Sequence, residues 1–206
     1  MINMDEALLK AFPLLAVPVG GLQQAAADYG TRYLVGRHGL SREINLPWVR
    51  VCHLIAPSAL PLPYGVVANA VEFRCGPVPL EVIRQFVAHA KQEQPLEVAG
   101  VFLWNEAHAG WRYARRTPLS VSEVYLEYRE VRPAQGEHIV VDAHSHGRQN
   151  AFFSAQDDAD DAGGMKLSLV LGNLDQERPS SRMRLCMAGL VETAFLDGDG
   201  RLRVPR

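Results

Sequence analysis

The sequence predicts an α+β fold, in which a helix precedes a mostly antiparallel sheet and a small β-rich part comes first. From residue 78 to residue 90 the apolar side chains recur at three- and four-residue steps, which is typical of an amphipathic helix. Short segments with strand-like composition then follow one another, separated by turn residues. A helix followed by strands in succession favours the α+β class.

Length and composition indicate an ordinary globular protein. The 206 residues correspond to one elaborated domain, or to one domain with a small appendage, at about 150 residues per domain. Lysine and arginine number 21 against 23 acidic residues, for a net charge of -2, which argues against a surface that neutralises many phosphates. We therefore expect no nucleic-acid partner. No apolar run approaches the roughly 20 residues that span a bilayer, so we expect no membrane span.

The amino terminus and the cysteines predict a cytoplasmic location. Two acidic residues precede the first basic one within residues 1–12, and no long apolar stretch follows, so a secretory signal is not expected. Cys52, Cys75 and Cys186 are widely spaced and lack any CxxC pairing. This pattern fits buried thiols in a reducing compartment, without disulfides.

Residues 1–64 are predicted to form a β-rich N-terminal extension. Strand-like runs at residues 33–37 and 48–56 are separated by turn residues, among them Gly39 and Ser41. The segment that follows, 57–65, contains three prolines and one glycine, which favours an extended connector over a helix or a central strand. The domain boundary is therefore placed there, with the main domain at residues 65–206.

The main domain is predicted to contain two helices and a series of strands. The first helix ends near Gln92, before Pro95, because proline disfavours helical backbone in the residue that precedes it. A short second helix is expected after Ser154. Strands are predicted at residues 66–75, 97–104, 111–116, 122–131, 137–143, 166–172, 182–189 and 190–196.

Two histidines near the end of a predicted strand carry the strongest chemical signal. His144 and His146 are two residues apart, so the strand period points both imidazoles to the same face. Asp157 follows eleven residues after His146 and three residues after Ser154. Two imidazoles and one carboxylate form a three-ligand zinc site whose fourth position is open to water, which is the pattern of catalytic zinc.

Each half of this pattern also has a structural interpretation. A His-x-His pair is common at exposed strand ends, and such short motifs often match by chance. Ser154 and Asp157 have the spacing of a helix capping box, in which each side chain accepts a backbone hydrogen bond of the other residue. Capping and metal binding are compatible, because a helix that starts after a loop can direct the Asp157 carboxylate back towards the strand end.

The spacing His-x-His, seven residues, Ser-x-x-Asp resembles the JAMM motif of the JAB/MPN+ metalloprotease family. This family includes zinc isopeptidases that remove ubiquitin and related β-grasp tags. It also has a glutamate at the start of the strand after the first helix, and the segment from Glu97 to Gly100 matches that context. The resemblance covers about residues 66–196 and implies an MPN/JAB-like sheet flanked by helices.

The resemblance also implies a role for each residue of the motif. His144, His146 and Asp157 would bind Zn²⁺, Glu97 would act as general acid/base and Ser154 would stabilise the oxyanion. Bound zinc lowers the pKa of water from 15.7 to about 7, so a hydroxide nucleophile exists at neutral pH. The implied enzyme is a zinc metalloprotease or metalloisopeptidase that cleaves at the C-terminal end of a ubiquitin-like or other small β-grasp tag.

Residues 144–161, on a chain of this length with an N-terminal extension, are most similar to bacterial members encoded in plasmid-type PRTRC cassettes. The implied partners are a protein substrate with a β-grasp modifier and a ThiF-like activating protein of the same cassette. Two other functions remain open. One is a catalytically silent MPN-type binding or assembly module, and the other is release of a small amino acid from a sulfur-carrier protein.

Several positions depart from the family pattern or allow two interpretations. Trp104, where the family often has glycine, either narrows the substrate groove or packs on the sheet. Gly147 follows the second histidine where many relatives have proline. Asp142 either supports an imidazole or faces solvent. The charges of Arg116 and of the acids that follow Asp157 are interpreted as solvated.

Overall fold

The computed structural model describes residues 4–20, 26, 28–121 and 126–205, and the chain divides into two compact units, Met1–Arg74 and Cys75–Arg206. Together they contain helices and mostly antiparallel strands, so the predicted α+β class is confirmed. Among the described residues, no helix has the length and apolar character that crossing a membrane requires. The three cysteines are buried, and none of them forms a disulfide in the described part of the chain.

The first unit is a five-stranded sheet preceded by a short helix. Its strands lie in chain order, with the first pair parallel and the other pairs antiparallel. Its elements are α1 (Met4–Ala11), β1 (Leu14–Ala16), β2 (Gly30–Gly36), β3 (Gly39–Asn45), β4 (Val49–Pro57) and β5 (Ala70–Phe73). Glu43 is fully buried in this unit and forms ion pairs with Arg32 and Arg50. The interior of the unit therefore contains a carboxylate whose charge is balanced by arginine side chains.

The boundary predicted after residue 64 is wrong, because residues 65–74 complete the first sheet. Within this stretch, β5 pairs antiparallel with β4 and places Phe73 opposite Val49. The proline-rich segment is not a free connector either. The Gly65 amide donates to the Val17 carbonyl, and the Gly65 carbonyl accepts from the Arg37 amide, both at 2.8 Å. These bonds tie the segment to the sheet, so the chain leaves this unit only after Arg74.

The second unit is built on a seven-stranded sheet. Its elements are α2 (Leu80–Gln92), β6 (Ala99–Asn105), β7 (Gly110–Arg115), β8 (Thr117–Val121), β9 (Leu126–Arg129), β10 (Glu137–Ser145), α3 (Ala155–Asp161), β11 (Met165–Gly172), β12 (Ser180–Met187), β13 (Val191–Leu196) and β14 (Leu202–Arg203). The strand order is β14-β13-β12-β11-β10-β6-β7, and β8 and β9 form a separate hairpin. Strands β10 and β11 pair in parallel, whereas their neighbours pair antiparallel.

Most predicted elements of this unit are present. Both helices and the strands corresponding to 97–104, 111–116, 137–143, 166–172, 182–189 and 190–196 are confirmed within a few residues at each end. The single strand predicted at 122–131 is wrong in part, since the structure has strands β8 and β9 instead, and residues 122–125 lie outside the described part of the chain.

Helix α2 covers one face of this sheet through an aromatic contact. The Phe86 ring is fully buried, and its centroid lies 5.9 Å from that of Phe102 and 5.8 Å from that of Tyr113. Such edge and tilted arrangements are favoured by the ring quadrupoles. The strand that carries Phe102, β6, is thereby fixed by the helix on one face and by its neighbours β10 and β7 in the sheet.

Candidate metal centre

Strand β10 directs the two histidines of the motif to one face. An irregularity in its pairing with β6, between Ile139 and Val141, precedes the segment. Beyond this irregularity, successive side chains of β10 point to opposite faces of the sheet. Ala143 is buried on one face, and His144 is partly exposed on the other. His146 follows the last residue of the strand, and its amide donates to the Leu171 carbonyl at 2.8 Å. The Nε2 atoms of the two histidines lie 3.1 Å apart.

Helix α3 supplies the carboxylate. Ser154 is its N-cap and forms the predicted capping box: the Asp157 amide donates to Ser154 Oγ at 3.2 Å, and the Ser154 amide donates to Asp157 Oδ2 at 2.6 Å. The Ser154 hydroxyl also donates to Oδ2, at 2.7 Å. The cap therefore occupies one carboxylate oxygen and leaves Oδ1, which lies 3.2 Å from Nε2 of His144. Asp157 therefore caps the helix through Oδ2 and approaches the histidines through Oδ1 at the same time.

The geometry and the protonation of this cluster fit a zinc ion. The ligand atoms of His144, His146 and Asp157 lie within 4.8 Å of one another. In a tetrahedral site with zinc–nitrogen bonds of about 2.05 Å, neighbouring ligand atoms are about 3.3 Å apart, close to the two short distances here. Burial is the main cause that lowers the pKa of both histidines. Two neutral imidazoles keep the lone pairs that a cation needs.

Two glycines shape the loop after the second histidine. Gly147 has φ +55°, and a Cβ there would lie 2.7 Å from the Pro95 carbonyl oxygen. Proline, with φ near -65°, cannot adopt this conformation, which explains the departure from the family pattern. At the end of β11, a Cβ on Gly172 would lie 2.3 to 2.5 Å from backbone atoms of residues 149–151. The backbone of residues 149–151 therefore packs directly against the backbone of β11 at Gly172, where no side chain separates them.

Glu97 lies beside the histidines because β6 and β10 are antiparallel. Ala99 pairs with His144, so the start of β6 meets the end of β10. Ser145 fixes this junction: its amide donates to the Val98 carbonyl at 2.9 Å, and its Oγ accepts from the Val98 amide at 3.2 Å. Glu97 lines the same pocket as the three candidate ligands. Burial, and secondly the negative charge of Asp157, raise the pKa of Glu97 to about 7.

The pocket has a volume of about 630 Å³ and is largely acidic. Besides the motif residues, the β8–β9 hairpin contributes Glu127 and Tyr128 to its wall, and α3 contributes Asp160. Lys166 on β11 also lines it. A pocket of this kind can admit an extended peptide segment, whose polar backbone groups and side chains match a lining of mixed polar and apolar character.

Two charged side chains that are predicted to be solvated, Arg116 and Asp161, are instead buried in ion pairs. Arg116 is 6% exposed, stacks on Tyr128 and lies 3.3 Å from Oδ2 of Asp142. Asp161 is 4% exposed and pairs with Lys166 and Arg184. The solvated interpretation is therefore wrong for Arg116 and Asp161. Asp142 turns its carboxylate to Arg116 and Lys166, so it reaches no imidazole by a hydrogen bond that the structure records.

Trp104 lies away from the pocket. It pairs with His138, near the opposite end of β10 from His144, and its side chain is buried on the sheet with the rings of Trp104 and His138 6.2 Å apart. It does not line the cavity around the histidines. Of its two interpretations, sheet packing is the one that the structure supports.

Comparison with known families gives two matches along the chain. Residues 2–74 match a domain of unknown function, DUF2016, and residues 79–186 match the prokaryotic homologs of the JAB domain. The second match spans just over half of the chain. The chain belongs to the family of prokaryotic JAB homologs. The resemblance stated from the sequence is thereby confirmed for the family, and the five candidate site residues of this JAB homolog all lie within the matched range.

No curated protein matches the chain. Among solved structures, the solution structure of a protein from Desulfitobacterium hafniense is similar over 61% of this chain and 86% of its own, at 16% identity and a TM-score of 0.41.

Proposed function

We propose that this JAB homolog is a zinc-dependent hydrolase that cleaves a peptide or isopeptide bond. The observation that carries the proposal is the convergence of three potential ligands and an independent carboxylate, from three separate elements, in one pocket. A helix-capping aspartate and a His-x-His pair would each be unremarkable alone. The approach of Asp157 Oδ1 to within 3.2 Å of His144 Nε2, beside a carboxyl whose pKa is raised to about 7, fits a catalytic centre.

His144, His146 and Asp157 would hold the ion, each through one atom of the cluster. Bound zinc would supply Lewis acidity and water of pKa about 7. The rest of the chemistry belongs to side chains. Glu97, with a pKa near neutrality, takes a proton from the attacking water and delivers it to the leaving amine.

Ser154 would donate to the oxyanion of the tetrahedral intermediate. Its hydroxyl donates to Asp157 Oδ2 in the structure, so it must rotate to serve the substrate. The Ser154 amide still holds Oδ2 after that rotation, at 2.6 Å, so the carboxylate keeps its place.

The substrate proposed is the C-terminal tail of a ubiquitin-like or other small β-grasp protein, processed in the cytoplasm in a deubiquitinase-like reaction. This finer statement rests on the family, and the similarity to PRTRC-cassette members adds a ThiF-like activating protein as partner. The pocket is large enough for a few residues of an extended tail.

The test combines metal analysis with product analysis. Purified protein should contain about one zinc per chain, and it should cleave at least one member of a panel of β-grasp carrier fusions. His146→Ala should lose the metal, whereas Glu97→Gln should keep it and lose turnover. Glu106→Gln, at the other end of β6, is the matched control and should behave like the unmodified protein.

Three results would change the proposal. Protein without stoichiometric zinc, and without activity that depends on Glu97, would be a binding or assembly module. Release of a single amino acid from a sulfur-carrier fusion would narrow the substrate. Full zinc in His146→Ala would contradict the ligand assignment.

A further inference from the structure

Lys166 connects the two elements that carry the candidate ligands. Its Nζ atom lies 2.8 Å from Oδ2 of Asp142 and 2.9 Å from Oδ1 of Asp161. Asp142 precedes His144 by two residues on β10, and Asp161 is the last residue of α3, the helix that carries Asp157. One ammonium group therefore joins the histidine strand to the aspartate helix.

Arg184 on β12 contacts the same helix at two of its acidic residues. Its Nε and Nη2 atoms lie 2.8 and 2.7 Å from Oδ2 of Asp161, and its Nη1 donates to Asp158 at 2.5 Å. The guanidinium also lies 3.8 Å from the centre of the Phe153 ring. Phe153 directly precedes Ser154 and Asp158 directly follows Asp157, so Arg184 contacts the chain on both sides of the capping box.

Helix α3 has little else to hold it in place. Its seven residues read AQDDADD, and among them, all described by the structure, only Asp161 is buried. A helix this short is unstable by itself, and this one buries no apolar stripe against the sheet. The capping box fixes the Asp157 carboxylate relative to Ser154, and the ion pairs at Asp158 and Asp161 fix the helix relative to the strands of the sheet.

We propose that Arg184 is a positioning residue of the metal centre, which sets the place of Asp157 through Asp158, Asp161 and Phe153, with Lys166 linking the same helix to β10. Arg184 is 8% exposed and does not line the pocket, so it acts through the helix and not on substrate. The inference rests on the metal centre of the proposed function but not on peptide cleavage. Lysine can replace it only in part, because one ammonium group lacks the planar fork that meets two carboxylates and a ring together.

The experiment measures zinc release from the full chain to a chromophoric chelator. Arg184→Met should release zinc faster, by roughly 10- to 100-fold, the usual effect of losing a group that orients a ligand. Arg184→Lys should release zinc at a rate between those of Arg184→Met and the unmodified protein. The cobalt-substituted protein should also lose part of the visible absorption of a tetrahedral site in Arg184→Met.

Arg112→Met is the matched control. It removes an arginine that makes two 2.6 Å hydrogen bonds to Glu137, at the other end of β10, and it should leave zinc release unchanged. Circular dichroism establishes that each variant is folded. If Arg184→Met does not fold, the double variant Arg184→Met with Asp158→Asn removes one charge of each sign, leaves Asp161 paired with Lys166, and is judged by the same criterion.

The outcomes are distinct. Fast release in a folded Arg184 variant with an unchanged control supports the inference. Release at the rate of the unmodified protein in folded Arg184→Met, or in the double variant, overturns it while leaving the metal centre intact. Absence of zinc from the unmodified protein overturns the proposed function and this inference together.

Discussion

Glu97 is the residue of the proposed catalytic centre whose pKa the fold raises. Its partial burial, and then the charge of Asp157, raise its pKa from 4.5 to about 7. A carboxyl with this pKa exchanges protons readily near neutral pH, which a general acid/base requires. The same shift has a thermodynamic consequence, because the folded protein then binds a proton more tightly than the unfolded chain.

The first prediction concerns pH and the metal-free protein. Because the folded pKa is raised, the contribution of Glu97 to stability is fully present below about pH 4.5 and is lost as the pH rises towards 7. The free energy of unfolding should therefore fall across this window in the unmodified protein relative to Glu97→Gln. Urea unfolding at several pH values measures the difference between the two proteins. A difference that is flat from pH 4.5 to 7 would show that Glu97 has an ordinary pKa.

The second prediction concerns Ser145, between the two histidines. Ser145 is fully buried, and its Oγ accepts the hydrogen bond of the Val98 amide beside Glu97. Ser145→Val should lower the free energy of unfolding by about 1–3 kcal/mol, because that buried amide then lacks a partner. Ser145→Thr has the same shape but keeps the hydroxyl, and should restore stability. Denaturant unfolding compares the two, and equal stability would mean that the hydroxyl has no such role.

At the residue scale, the sequence predicts the motif residues but not the ion pairs around them. His144 and His146 are related by the strand period, and Ser154 and Asp157 by the helix cap, so both pairs follow local rules. Lys166 and Arg184 reach α3 across strand neighbours that only the sheet register brings together. No local period marks a contact of that kind, and both residues were therefore absent from the predicted site.

At the scale of elements, the loop between β10 and α3 depends on the missing side chain of Gly172. A Cβ there would lie 2.3 to 2.5 Å from the backbone of residues 149–151, and backbone cannot move aside as a flexible side chain can. The loop joins His146 to the helix cap, so its displacement would reach the candidate ligands.

The third prediction follows from this contact. Gly172→Ala should lower the free energy of unfolding by about 1–3 kcal/mol, as overpacking does, and should weaken zinc binding. Gly163→Ala, in the turn between α3 and β11, is the control, since a Cβ there meets no atom within 4 Å. Thermal unfolding and zinc titration of both variants test the prediction. Unchanged zinc affinity in Gly172→Ala would mean that the loop position does not matter to the site.

The predicted elements succeed where the buried face is apolar and fail where it is polar. Helix α2 shows a clear apolar period, with Val82, Phe86 and Ala90 buried. The sequence predicts only turn residues within strand β3, because the alternate positions that form its most buried face are polar, Ser41, Glu43 and Asn45, and only Ile44 on the other face is a buried apolar residue. Hydrophobic alternation cannot reveal a strand whose inner face is made of paired polar groups.

At the scale of the whole molecule, the two compact units correspond closely to the two family matches. The first unit ends at Arg74, where the match to the domain of unknown function also ends. The prediction from sequence placed the boundary ten residues earlier, since proline content marks stiff chain but does not distinguish a linker from an edge segment bound to a sheet. All the candidate ligands belong to the second unit.

The fourth prediction concerns metal removal from the whole chain. Ligand binding to the folded state adds about 2.7 kcal/mol of stability at a free concentration one hundred times Kd. Chelation should therefore increase amide hydrogen exchange in the peptides covering residues 137–172, which contain the three candidate ligands. Hydrogen-exchange mass spectrometry with and without chelator measures this, and unchanged exchange there would contradict a metal at this site.

The parallel pair of β10 and β11 has an evolutionary consequence. Parallel neighbours cannot be joined by a tight hairpin, so the backbone must leave the sheet after β10 and return through residues 146–164, whatever chemistry it carries. A descendant that lost His146 or Asp157 would still need this crossover to complete its architecture. Inheritance of the fold is therefore separate from inheritance of the proposed reaction. A paralogue without activity would share the topology and differ at one or more of the five candidate site residues.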